Sequence, residues 1–164
     1  MSKLSFSVLR IRDFRLLLFT RMFGVMALQC QAIIVGWQVY SLTRDYLLLG
    51  LTGLAEAVPA ILCALFAGHV VDISVPKRVY FICMSVLVLN TLMLFLFAGG
   101  FIAIPGGHLV SLIFIGIFIS GAARSFIMPS SFSILPRIVP RSEIPAASAW
   151  QSSAFQVEIG RAHV

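Results

Sequence analysis

Four long apolar runs fill most of the chain, and short polar breaks separate them. A helix needs about 20 apolar residues to cross the ~30 Å hydrocarbon core of a bilayer. The runs reach that length near residues 16–40, 47–71, 79–98 and 109–128. They do not alternate apolar and polar positions as the strands of a membrane barrel would. Backbone groups in lipid must be satisfied within their own segment, so each run predicts a transmembrane helix. Among the breaks, "SLTRDY" predicts a tight turn, "VDISVPKR" a charged hairpin, and "GGFIAIPGGH" an uncharged loop with turn residues at both ends. Beyond the fourth run, Pro129, Pro136, Pro140 and Pro145 punctuate the chain. Ser142 predicts the N-cap of a fifth helix, with Glu143 in its first turn and Pro145 tolerated there. The pattern predicts an all-α membrane protein with four full transmembrane helices and the start of a fifth.

Composition agrees with this. The 164 residues are 60% hydrophobic and only 11% charged, whereas a soluble domain averages about 45–50% and ~25%. The lipid bilayer is therefore the first expected partner. The net charge of +6 would suggest nucleic acid in a soluble protein. Here the bases sit at the ends of apolar runs and form no stripe with aromatics, so no nucleic acid is expected. Their distribution sets topology instead. Residues 1–15 form a lead-in with Lys3, Arg10, Arg12 and Arg15, the second break holds Lys77 and Arg78, and the stretch after the fourth run holds Arg137 and Arg141. The other side has Arg44, offset by Asp45. This bias predicts a multi-pass protein of the cell (inner) membrane with a cytoplasmic N-terminus. Trp37 and Tyr40 mark the far interface, where amphipathic rings collect.

The final "EIGRAHV" puts a charge and a histidine where a fifth span should run. It matches the translation of a common sequencing-library adapter (GAG ATC GGA AGA GCA CAC GTC). Residues 158–164 are accordingly expected to be an artefact, and the natural sequence to run on from Val157 into a longer protein.

Ionisable groups inside the runs are the candidate chemistry. Each costs about 2.5–3.5 kcal/mol to insert, so such groups generally face a cavity or a partner. Glu56 lies about nine residues into the second run, roughly 14 Å deep. Two readings stand for it: a proton or cation site on a pathway, or a structural hydrogen bond to a neighbouring helix. Arg124 either faces a cavity or snorkels, and Arg21, near the start of the first run, reads as a snorkelling base. Gln29 and Gln31 point about 200° apart on a helix, so at most one faces a cavity. Pro59 either kinks the second helix or is a tolerated membrane proline. Cys30, Cys63 and Cys83 form no C-x-x-C pair and read as packing residues. His69 and His108 lack ligand spacing, so no metal is expected. No cofactor is called for either: a phosphate loop is absent, as are H-E-x-x-H and G-x-S-G. The chain is not expected to be an enzyme.

Several stretches resemble one family. "AGHVVDISVPKR", with Gly68, Asp72 and then Lys77 and Arg78, is similar to the loop signature of the major facilitator superfamily. Ile73 stands where that family usually has a base, and Val75 and Pro76 where it often has glycine. The Asp–Arg pair within the loop therefore does not carry over. "GAARSFIMPS" resembles the family's fourth-span signature, with Arg124 as the cavity-facing base. Arg21, Trp37, Tyr40, Leu42, Thr43, Gly53, Leu54, Glu56 and Pro59 fit the exporter branch that includes enterobactin-exporter-like proteins. The resemblance covers residues 10–157. It implies that 16–157 are part of the N-terminal six-helix half of a twelve-helix transporter. It further implies alternating access between two halves, with Gly68, Asp72, Lys77 and Arg78 as a cytoplasmic gating loop. Glu56 would be the coupling carboxylate, and Arg124, Arg21, Gln29 and Gln31 further transport candidates. A small-molecule substrate and protons would be the partners of the full-length protein, and export its direction. The alternative is a small four-helix membrane scaffold that acts as an oligomer. Clean genomic DNA read past codon 157 separates the two: the transporter reading expects some seven further apolar spans, and an immediate stop would favour the scaffold.

Overall fold

The computed structural model describes residues 6–99 and 108–160. A 3-10 turn, Phe6–Arg10, precedes five α-helices, and a second, Arg141–Glu143, precedes the last of them. These are α1 (Arg12–Thr43), α2 (Tyr46–Ile73), α3 (Pro76–Ala98), α4 (His108–Ile138) and α5 (Ile144–Gly160). The first four are long and apolar enough to cross a membrane. Their apolar residues run all round each helix, as expected where lipid replaces water outside. Large apolar side chains therefore point outward: Leu65 is 76% exposed and Ile33 74%.

The chain divides into two units, one made of residues 1–28 and 131–164 and the other of residues 29–130. The first has its own apolar core, in which Val8, Phe14, Leu135, Val139 and Ala147 are buried together, with Trp150 packed against them. The lead-in is thus anchored at Val8, and its last residues already belong to α1. The second unit centres on Val35 and Val39 of α1, Leu94 of α3, and Ile113 and Ile117 of α4.

Helix boundaries depart from the pattern in three places. The fourth helix does not stop at residue 128 but runs to Ile138, through Pro129 and Pro136. A proline removes one backbone bond, and membrane helices tolerate it where neighbours compensate. Ser142 is not a helix N-cap. It sits inside a 3-10 turn, Arg141–Glu143, closed by the Glu143 amide donating to the Pro140 carbonyl at 2.9 Å. Pro145 falls in the first turn of α5, where a missing N–H is harmless. The charged hairpin shrinks to Ser74 and Val75, because Pro76 opens α3 at its first position. Asp72 is therefore in the last turn of α2, and Lys77 and Arg78 are in the first turn of α3. Of the loop at 99–108, residues 100–107 lie outside the described residues, as do residues 161–164 of the predicted artefact.

The turn between α1 and α2 is as tight as predicted. Arg44 takes a left-handed φ of 55° and its amide donates to the Tyr40 carbonyl at 2.8 Å, which closes α1. Asp45 caps α2 by accepting from the Leu47 amide at 2.8 Å. The Tyr40 hydroxyl donates to that of Tyr46 at 3.0 Å, and their rings lie 5.1 Å apart. A Cβ at Gly36 of α1 would make only ordinary contact with Leu49 of α2, at 3.4 Å, just inside this turn. Asp45→Ala is expected to cost about 1 kcal/mol through the lost cap. Arg44→Gly should recover about 1 kcal/mol of left-handed strain. Hydrogen exchange at the Leu47 amide should be faster in the first variant and slower in the second.

Candidate functional site

Two of the charges inside the apolar runs, Glu56 and Arg124, meet in the 29–130 unit. Arg124 Nη1 of α4 donates to Glu56 Oε1 of α2 at 2.8 Å, and both side chains keep about a third of their surface open, at 39% and 30%. This is the partner that the cost of an intramembrane carboxylate demands. Of the two readings of Glu56, the interhelical bond is present. It does not exclude the other, because the pair is neither sealed nor fully solvated. Arg124, likewise, is bound to a neighbouring helix rather than stretched toward a surface.

Gly121 explains why the two helices can meet here. A Cβ at this position would collide with the Glu56 carbonyl oxygen and stand 3.0 Å from Pro59 Cγ. The α4 backbone thus lies directly on the turn of α2 that carries Glu56. Pro59 is buried in that contact, and α2 continues through it as one helix. Arg124 is three residues beyond Gly121 and so shares its face of α4.

A second, neutral network ties α4 to α3 and α1. Asn90 of α3, 7% exposed, donates through Nδ2 to the Gly116 carbonyl at 3.0 Å and to Ser120 Oγ at 2.7 Å. Gln31 of α1 donates to the same Ser120 Oγ at 3.3 Å, and Thr91 Oγ1 donates to Gln31 Oε1 at 2.6 Å. Gly116 admits this contact, since a Cβ there would lie 3.1 Å from both Asn90 Oδ1 and Leu94 Cδ2. Of the two glutamines, Gln31 enters the helix junction and Gln29 is exposed, which agrees with their opposed directions.

Arg21 departs from the snorkelling expectation. It is 4% exposed and its guanidinium carbon lies 6.0 Å from the centroid of the Phe132 ring, in cation–π range. The residue belongs to the unit formed by 1–28 and 131–164, as does the bond from Gln151 Nε2 of α5 to Ser131 Oγ of α4. Gly68 has open space around it. Asp72, Lys77 and Arg78 are exposed, and among the described residues none of them forms an ion pair. Their charges also oppose the helix dipoles, with an acid at a C-terminus and bases at an N-terminus. Helix stability therefore does not account for them.

Asn90, Thr91, Ser120 and Gly121 were not singled out in the sequence. The available signal was an amide in the middle of the third apolar run, together with a Ser-Gly pair in the fourth. Small residues and interhelical amides are how membrane helices associate when no hydrophobic force separates helix from lipid. Gly121→Ala should force α2 and α4 apart and destabilise the protein by about 1–3 kcal/mol, as overpacking does. The thermal midpoint of the purified protein in detergent should fall, and by less for Gly116→Ala, whose neighbours are side-chain atoms.

A family model described as transmembrane secretion effector matches residues 3–163. No curated protein and no solved structure matches the chain. With four membrane-length helices and a match along nearly its whole length, the chain belongs to the transmembrane secretion effector family, a transporter family of the major facilitator type.

Proposed function

We propose that residues 1–157 form the first part of a proton-coupled secondary exporter of small molecules, of the enterobactin-exporter-like branch, working by alternating access. The observation that carries this reading is the Glu56–Arg124 pair, an ion pair on two membrane-length helices with a third of each side chain still open. A proton on Glu56 cancels the attraction that holds α2 to α4 at this level. A donor group of the cargo competes for the same carboxylate, so the loaded and protonated states exclude one another and inward protons drive cargo outward, while Arg124 holds the carboxylate when neither is bound. Each ligand thereby acts on the same two-state element, as coupled transport requires. The word secretion in the family description supports outward transport. The bias of bases toward the N-terminal side supports a cytoplasmic N-terminus in the inner membrane. The charges Asp72, Lys77 and Arg78, which form no ion pair among the described residues, suit a gating loop whose partners come from the second half of the transporter.

The test uses the full-length protein encoded by the locus, in everted membrane vesicles, with ethidium as a small, partly hydrophobic probe. Glu56→Gln and Arg124→Gln should each lower proton-driven ethidium accumulation about tenfold or more, equivalent to about 1.4 kcal/mol. Proton-driven accumulation at the unaltered rate in both variants would refute the coupling role. Residues 1–164 reconstituted alone should not transport.

A further inference from the structure

Two of the contacts that hold α4 fall on different neighbours. Asn90 grips it from α3 at the Gly116 carbonyl and at Ser120 Oγ. Gly121 seats it on the Glu56 carbonyl of α2. Arg124 lies one helical turn beyond Ser120, so whatever fixes Ser120 fixes the origin of the guanidinium. Apolar packing alone specifies rotation and register poorly here, because α4 is apolar on every side and lipid is as good a neighbour as leucine. A slide by one turn, about 5.4 Å, would carry Arg124 out of reach of Glu56.

From this geometry we propose that Asn90 is a positioning residue for the Glu56–Arg124 pair. It acts through Gly116 and Ser120, and Gln31 and Thr91 support it from the far side of Ser120. Asn90 touches neither charged group. Its Nδ2 bonds a backbone carbonyl, which rotation of α4 would remove, and a hydroxyl one turn on, which a slide would remove. The two bonds together therefore define both angle and height. Gln31 supplies a second donor to the same hydroxyl, and Thr91, next to Asn90 on α3, holds that glutamine in place. The consequence is a division of labour: the charged pair responds to protons, while a neutral cluster a turn away keeps its two members in register. This rests on the pair being the working element, as proposed above.

The test observes the pair directly and needs no substrate. The full-length protein is placed in lipid nanodiscs, and the guanidinium nitrogen signals of Arg124 are recorded by NMR. A guanidinium held by a carboxylate gives resolved, slowly rotating Nη signals, whereas a free one gives an averaged line. Glu56→Gln should collapse the Arg124 signals and so define the unpaired state. Asn90→Leu, close in size but without the amide, should collapse them in the same way while both members of the pair remain. Ser120→Ala, which removes one of the two bonds, should give a partial collapse. It also stands in for Asn90→Leu should that variant fail to fold. Asn90→Leu or Ser120→Ala that lowers the thermal midpoint yet keeps the wild-type Arg124 signals would overturn the positioning role, because a merely structural residue behaves that way. If Glu56→Gln itself leaves the Arg124 signals unchanged, the ion pair and the coupling reading built on it fail instead.

Discussion

Between Gly121 and the Glu56 carbonyl there is no space for a methyl group, and the arrangement of the 29–130 unit follows from that fact. Backbone laid on backbone brings Arg124, three residues further along, to 2.8 Å from the Glu56 carboxylate. It also buries Pro59, where a larger side chain on α4 would hold the helices apart. In water the hydrophobic effect would press such helices together. In lipid it does not, so close packing of small residues and a few polar bonds must do so. Glycine at 121 is therefore a condition for the charged pair, and glycine at 116 makes room in the same way for Asn90 and Leu94 of α3.

The polar cluster around Ser120 completes that arrangement. One hydroxyl accepts from Asn90 of α3 and from Gln31 of α1, so a single residue of α4 is joined to two other helices. Bonds of this kind average about 0.6 kcal/mol in membrane proteins, which is little for stability. Direction is the larger effect, because a hydrogen bond weakens steeply with angle and an apolar contact does not. A helix apolar all round gains its orientation from the few positions that are not.

At the helix ends the physics changes, because water is present. The α1–α2 turn is built from local chemistry alone: a left-handed Arg44, an Asp45 cap and the Tyr40–Tyr46 hydroxyl bond. The α2–α3 turn is different. Its Asp72, Lys77 and Arg78 run against the helix dipoles and form no ion pair among the described residues. Helix stability does not account for the charges at this turn. The contrast is between a turn whose residues serve the turn itself and one whose charges do not.

The sequence by itself determined the number of membrane helices, their approximate limits, the tight turn at Arg44–Asp45 and the presence of two costly charges, Glu56 and Arg124. These follow from local properties: run length against bilayer thickness, turn chemistry, and the price of a charge in hydrocarbon. Only the tertiary structure decided that the two charges are each other's partner, that Gln31 rather than Gln29 enters the helix junction, and that Arg21 is buried against Phe132 instead of reaching outward. It also decided that α4 continues through Pro129 and Pro136, since propensity is local while compensation for a proline comes from neighbours. The reason is common to all of these. In a helix apolar on every face, the hydrophobic pattern carries no record of which face meets which neighbour. That information lies in glycines, serines and amides whose significance appears only when a second helix is laid against them.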